Sequence, residues 1–198
     1  MKKEIGPIQV LAAVLVFALA VVVVASTAQA EEFEYVGSKG CKKCHLKEYK
    51  SWEATTMATT FDALKPGERA EAKLKAGLDP DNDYTTDENC VKCHVTGYGK
   101  PGGFVDIETT PELAGVGCET CHGPGGTYIQ DGYMTLKNKE YKKADIVAVG
   151  MVDTVSVDQC KDCHNAESPF VTEGYVFDFE ANKDSGTHEK FPLKYTHD

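Results

Sequence analysis

Gly115-Val116-Gly117-Cys118-Glu119-Thr120-Cys121-His122-Gly123-Pro124-Gly125-Gly126 is the stretch on which the reading of the whole chain turns. At its centre two cysteines stand two residues apart, with a histidine directly after the second. The frame recurs as Cys41-Lys42-Lys43-Cys44-His45, Cys90-Val91-Lys92-Cys93-His94 and Cys160-Lys161-Asp162-Cys163-His164, and the four copies use all 8 cysteines of the 198 residues. A disulfide framework explains an even cysteine count in an exported chain, but not a histidine locked to every pair. Zinc ribbons set their C-x-x-C pairs about 15 to 20 residues apart, whereas the nearest pairs here, ending at Cys93 and beginning at Cys118, leave 24 residues between them. C-x-x-C-H is instead the attachment signature of c-type haem.

The spacing has a chemical reason. Two intervening residues hold both sulfurs on one helical turn, where they can form thioethers with the two vinyl groups of one porphyrin. The next residue then lies beneath the iron. The sequence therefore predicts four covalent haem c groups, attached through Cys41, Cys44, Cys90, Cys93, Cys118, Cys121, Cys160 and Cys163, with His45, His94, His122 and His164 as proximal ligands.

Composition agrees. Hydrophobic residues make up 41% of the chain, but the first thirty residues hold a disproportionate share. Residues 31–198 are too poor in apolar side chains for an ordinary globular core, and four haems would supply the missing apolar surface. The same residues carry 19 basic against 30 acidic side chains, and Arg69 is their one arginine. Nucleic acid is not an expected partner, since binding to phosphate backbones rests on lysine and arginine.

Lys2 and Lys3, the unbroken apolar run Val10 to Ala25 and the small-x-small sequence Ala28-Gln29-Ala30 read as a signal peptide spanning 1–30. Cleavage would leave 31–198 as a single tetrahaem domain, exported to the periplasm or cell exterior, with no membrane segment of its own.

Four irons need four distal ligands to be six-coordinate, and only His188 and His197 remain among the histidines. Methionine is the other usual axial ligand. Met57 is the first candidate, whereas Met134 and Met151 read as packing residues. One iron would stay five-coordinate if these do not suffice. Leu46, Tyr49, Trp52, Met57, Phe61 and Leu64 predict one amphipathic helix over 42–64, ended by Pro66 and Gly67. A second is expected over 68–76. Thr85-x-x-Glu88 and Ser156-x-x-Gln159 match the capping box before the second and fourth motifs. Gly97 to Gly103 reads as loop, and Gly123-Pro124-Gly125-Gly126 stops the third motif's helix. Phe170, Tyr175, Phe177 and Phe179 are expected to cover haem edges.

The four motifs, the helix around Trp52, Cys93-His94-Val95-Thr96-Gly97 and the Gly115–Gly126 run together resemble the tetrahaem cytochrome c-554 family, from about Tyr35 to Tyr128 and again at the fourth motif. The resemblance implies a mainly helical, loop-rich fold with little or no sheet and closely spaced haem pairs, some stacked and some edge to face. It also implies electron transfer between periplasmic or extracellular redox proteins, and one branch of the family forms filaments. Family members often carry a histidine after the first-motif tryptophan and another after the G-P-G segment. This chain has Met57 and Tyr128 in those neighbourhoods, which favours mixed ligation. The expected partners are redox proteins with basic docking patches, and further copies of the chain if a filament forms. The alternative function is reduction of nitrite, nitric oxide, hydroxylamine or peroxide at a five-coordinate haem.

Overall fold

The computed structural model describes residues 33–130 and 132–195. The expected signal peptide and His197 lie outside the described residues. Short helices joined by long loops make up the fold: α1 (Ser38–Cys41), α2 (Leu46–Glu53), α3 (Ala70–Lys75), α4 (Glu88–His94), α5 (Cys118–His122), α6 (Lys143–Ala148), α7 (Val157–Lys161) and α8 (Phe179–Asn182), with 3-10 turns at Met57–Thr59, Asp62–Leu64 and Pro111–Leu113. Among the described residues the sole strand-like pairing is an isolated antiparallel bridge between Val95 and Ala114. The expectation of helix and loop without sheet holds.

The helix expected over 42–64 is instead broken. The chain leaves helix after Cys41, turns through the first motif, re-enters at Leu46, and leaves again after Glu53. Two features interrupt the period. Thr55 donates its hydroxyl to the Trp52 carbonyl at 2.7 Å. The Met57 carbonyl accepts the Val116 amide at 3.0 Å, a partner from outside the segment. Hydroxyls that bond nearby backbone compete with the helical ladder, so the apolar spacing survives in two 3-10 turns. Met57 accordingly sits in such a turn and not three turns along a helix.

The helix expected over 68–76 is shorter, Ala70–Lys75, because Arg69 before it adopts φ 50°. Gly77, at φ 75°, follows it as expected. The capping box at Thr85 does not form. Asp83 accepts both the Thr85 amide (2.8 Å) and hydroxyl (2.6 Å), and Asp87 caps α4 through the Asn89 amide. The box at Ser156 and Gln159 is present in full at the start of α7. Gly123, at φ 76°, ends α5, and a Cβ there would lie 2.1 Å from the Gly150 carbonyl oxygen. Only glycine fits that position.

The apolar core is one small cluster of Phe61, Leu64, Val91, Val95, Phe104 and Leu113, with Tyr35, Tyr84, Cys90, Tyr98 and Ala114 packed against it. The Phe61 and Phe104 rings meet at 5.7 Å and 53°. This core wraps α4 and so surrounds the second motif. Met134 and Met151, expected as packing residues, are only half-buried.

Candidate haem-attachment sites

Each motif closes one helical turn. In the second and third motifs both cysteines and the histidine lie within α4 and α5. In the first and fourth the helix ends inside the motif, at Cys41 and Lys161, yet His45 donates its amide to the Cys41 carbonyl at 3.0 Å and His164 to that of Cys160 at 2.9 Å. None of the eight cysteines is joined in a disulfide, and none is fully buried. Among the described residues no three His, Cys, Asp or Glu side chains converge as a bare ion site.

The motifs are drawn together by buried polar side chains whose role the sequence did not reveal. Glu119, the second residue of the third motif, is 2% exposed. Its carboxylate accepts the amides of Val36 (3.0 Å), Gly37 (2.7 Å) and Gly125 (2.6 Å), tying the entry to the first motif onto the G-P-G loop after the third. Ser38 accepts the Cys118 amide at 3.1 Å. Thr96 donates to the Gly115 carbonyl and accepts the Gly117 amide, both at 2.8 Å, joining the exit of the second motif to the entry of the third. Trp52 donates its indole N–H to the Val116 carbonyl at 2.9 Å. Gln159, besides completing the capping box, donates to the Cys121 carbonyl at 3.2 Å and so holds α7 against α5.

The thiols report which motifs are neighbours. Ser38, three residues before Cys41, holds the Cys118 amide, and Lys92 of the second motif pairs with Glu167 just after the fourth. In keeping with this, Cys118 pushes the Cys41 thiol up and is itself held down, and Cys93 and Cys163 influence each other in the same way, Cys163 up and Cys93 down. Cys160 adds a charge effect on Cys121, whose thiol burial pushes up. As thioethers these sulfurs would not titrate, but their proximity would remain. The first motif is thus beside the third, the second beside the fourth, and the third beside the fourth.

The histidines are equally ordered. His94 places Nδ1 2.6 Å from the Thr60 carbonyl oxygen. A proton on Nδ1 satisfies that contact and leaves the Nε2 lone pair for a metal, the usual arrangement of an oriented histidine ligand. His188 likewise has Nδ1 2.7 Å from the Glu189 carbonyl oxygen. Its ring faces that of His122 at 6.1 Å between centroids, with 29° between planes. Desolvation first, then His188 and His45, hold His122 toward its neutral form, which is the form that ligates. The His164 ring stacks on Phe177 at 4.8 Å. Phe177 therefore packs on the histidine of the fourth motif, whereas Phe170 is exposed. Tyr128 is buried and donates to the Gly123 carbonyl at 3.1 Å, which makes it a brace for the G-P-G loop. Met57 is half-buried, with its backbone bonded to Val116 at the entry of the third motif.

Free cysteine pairs on closed turns, an oriented imidazole after them and too little side-chain core for the chain length fit covalent porphyrins, and they define a multihaem c-type cytochrome. The family profile described as "Cytochrome c554 and c-prime" matches residues 40–123. Cytochrome c-554 of Nitrosomonas europaea is 35% identical over 187 residues, covering 83% of this chain and 79% of that protein. The solved structure of reduced cytochrome c554 from Nitrosomonas europaea superposes with a TM-score of 0.72 at 33% identity, covering 84% of this chain and 90% of that one. This chain belongs to the cytochrome c554 family and carries four c-type haems.

Proposed function

We propose that the protein is an exported electron carrier, cleaved after residue 30, whose 31–198 domain holds four haems through the cysteine pairs and proximal histidines of its four motifs. The observation that carries this reading is the set of contacts that put different motifs side by side: the Cys118 amide on Ser38 beside the first motif, Gln159 on the Cys121 carbonyl, and Lys92 of the second motif paired with Glu167 after the fourth. When bound, each haem supplies a one-electron iron couple. The chain contributes placement. With Cys121 and Cys160 bridging the pairs, the order of attachment sites through the protein is first, third, fourth, second, and not the order in sequence.

His188 is proposed as the distal ligand at the third motif. The Glu189 carbonyl engages His188 Nδ1 and leaves Nε2 as the nitrogen that would ligate, and the His188 ring centroid lies 6.1 Å from that of His122. Met57 is the proposed sulfur ligand, and His197 the remaining candidate. A histidine–methionine site has a higher potential than a bis-histidine one, so the four potentials should be spread.

The surface is acidic, with a formal net charge of −10 for the full chain, and haem propionates add to it. Partners with basic patches would dock through screened, long-range attraction. Among the described residues no helix is long and apolar enough to cross a membrane. The decisive experiment combines electron exchange with a basic redox protein and carbon monoxide binding. Four reversible one-electron transitions, exchange that slows as salt rises and no turnover of nitrite, nitric oxide, hydroxylamine or peroxide, whether or not the iron left without a distal ligand binds carbon monoxide, support the carrier. A stable adduct with turnover of nitrite, nitric oxide, hydroxylamine or peroxide would replace it with the reductase reading. Assembly into a filament would appear as polymers in negative-stain images that H197A abolishes.

A further inference from the structure

Lys73, on α3, is 4% exposed. Its ammonium donates to the Lys65 carbonyl oxygen at 2.6 Å and lies 5.4 Å from the centroid of the Tyr84 ring. Among the described residues no carboxylate pairs with it, in contrast to the five lysines that form exposed ion pairs. A buried ammonium is costly unless its charge is compensated. Besides one carbonyl and one ring face it has only the field of the exposed, water-screened Asp83 carboxylate, so the charge sits where packing alone would favour an aliphatic side chain.

Its position is specific. Tyr84, under the ammonium, packs on the same core cluster as Cys90 of the second motif, and its amide donates to the Leu64 carbonyl within that cluster at 3.0 Å. Burial and the half-buried Asp87 carboxylate push the Cys90 thiol up, while Lys73 draws it the other way. Lys92 lies in the same motif, but it is only half-buried and is paired with the exposed Glu167, so its partner and the solvent screen it. Lys73 is the shielded cation of this region.

We propose that Lys73 is a fixed positive charge that selectively raises the reduction potential of the haem held by Cys90, Cys93 and His94. Gaining an electron lowers the charge at that iron by one, and a cation in a low-dielectric surround favours the reduced form. The proposal rests on the reading that the second motif carries a haem. K73M and K73R holoproteins, titrated by spectroelectrochemistry, test it. In K73M one of four transitions should move to lower potential while three stay, and K73R should restore the wild-type value. H94M, which changes the proximal ligand of the same site, should move that same transition. Four unmoved transitions, a uniform shift of all four, or a K73M shift in a transition that H94M leaves alone would overturn the role of Lys73. If K73M does not accumulate as holoprotein, K73Q is judged on the same readout. A wild-type peptide containing Cys90–His94 that lacks the mass of an attached macrocycle would instead overturn the haem assignment, and this proposal with it.

Discussion

Glu119 shows how much one side chain can organise here. A buried carboxylate with no ion-pair partner among the described residues is tolerated because the amides of Val36, Gly37 and Gly125 point at it, and hydrogen bonds to an ionised acceptor are the strong kind. E119Q keeps the shape but removes the charge and turns one acceptor into a donor facing an amide. The variant should lose about 3 kcal/mol of stability, read as an earlier midpoint in denaturant unfolding followed at the haem band. Haem content should remain at four. A change below about 0.5 kcal/mol, the usual span of neutral surface substitutions, would mean that the amides are satisfied some other way. The residue was in plain view in the sequence, between the two cysteines. Nothing in its type or spacing said that it would be buried, since glutamate at that position reads equally well as a solvated charge on a short helix.

At the level of single elements, capping decides where the short helices begin, because helices of this length have few internal bonds to define them. Ser156 and Gln159 exchange bonds reciprocally at the start of α7, and S156A should cost about 1 kcal/mol, measured by thermal unfolding. A loss confined to the fourth motif would also loosen the Gln159 bond to the Cys121 carbonyl. The loop before Pro111–Leu113 is set by Asp106, which accepts the Thr109 amide at 2.6 Å and the Glu108 amide at 3.0 Å. Bonds from Thr109, backbone first, hold the Asp106 carboxyl below its ordinary value. A depressed folded value means that the turn adds stability above the unfolded carboxylate value of about 3.9 and loses it as pH falls through the folded one. D106N should therefore be less stable than wild type at neutral pH and converge with it in acid; a gap that persists at low pH would contradict this origin. Helix boundaries were the least legible feature of the sequence for the same reason. The sequence pointed to Thr85 as the cap before α4, and the structure gives that place to Asp87, with Asp83 engaging Thr85 instead.

For the molecule as a whole, the small apolar cluster around α4 cannot hold 31–198 together by itself. Nine hydrophobic side chains are buried among the described residues, far from what a domain of this length normally encloses. The chain made without haem, by replacing all eight cysteines with serine, should show little helical circular dichroism and bind a hydrophobic dye or be proteolysed. A cooperative unfolding transition in that haem-free chain would show that polypeptide packing suffices.

The sequence by itself determined the cofactor, its number and the helix-and-loop character, and it supplied the proposed attachment residues, because thioether formation and proximal ligation demand fixed residue types at fixed local spacing. Tertiary structure alone decided which motifs are neighbours, that His188 faces His122, that Met57 lies in a 3-10 turn, and that Glu119 and Lys73 are buried charges. Those outcomes depend on contacts between residues tens of positions apart, such as Thr60 with His94 or Ser38 with Cys118. A local pattern carries no information about them, since the energy that selects them arises only when the segments meet.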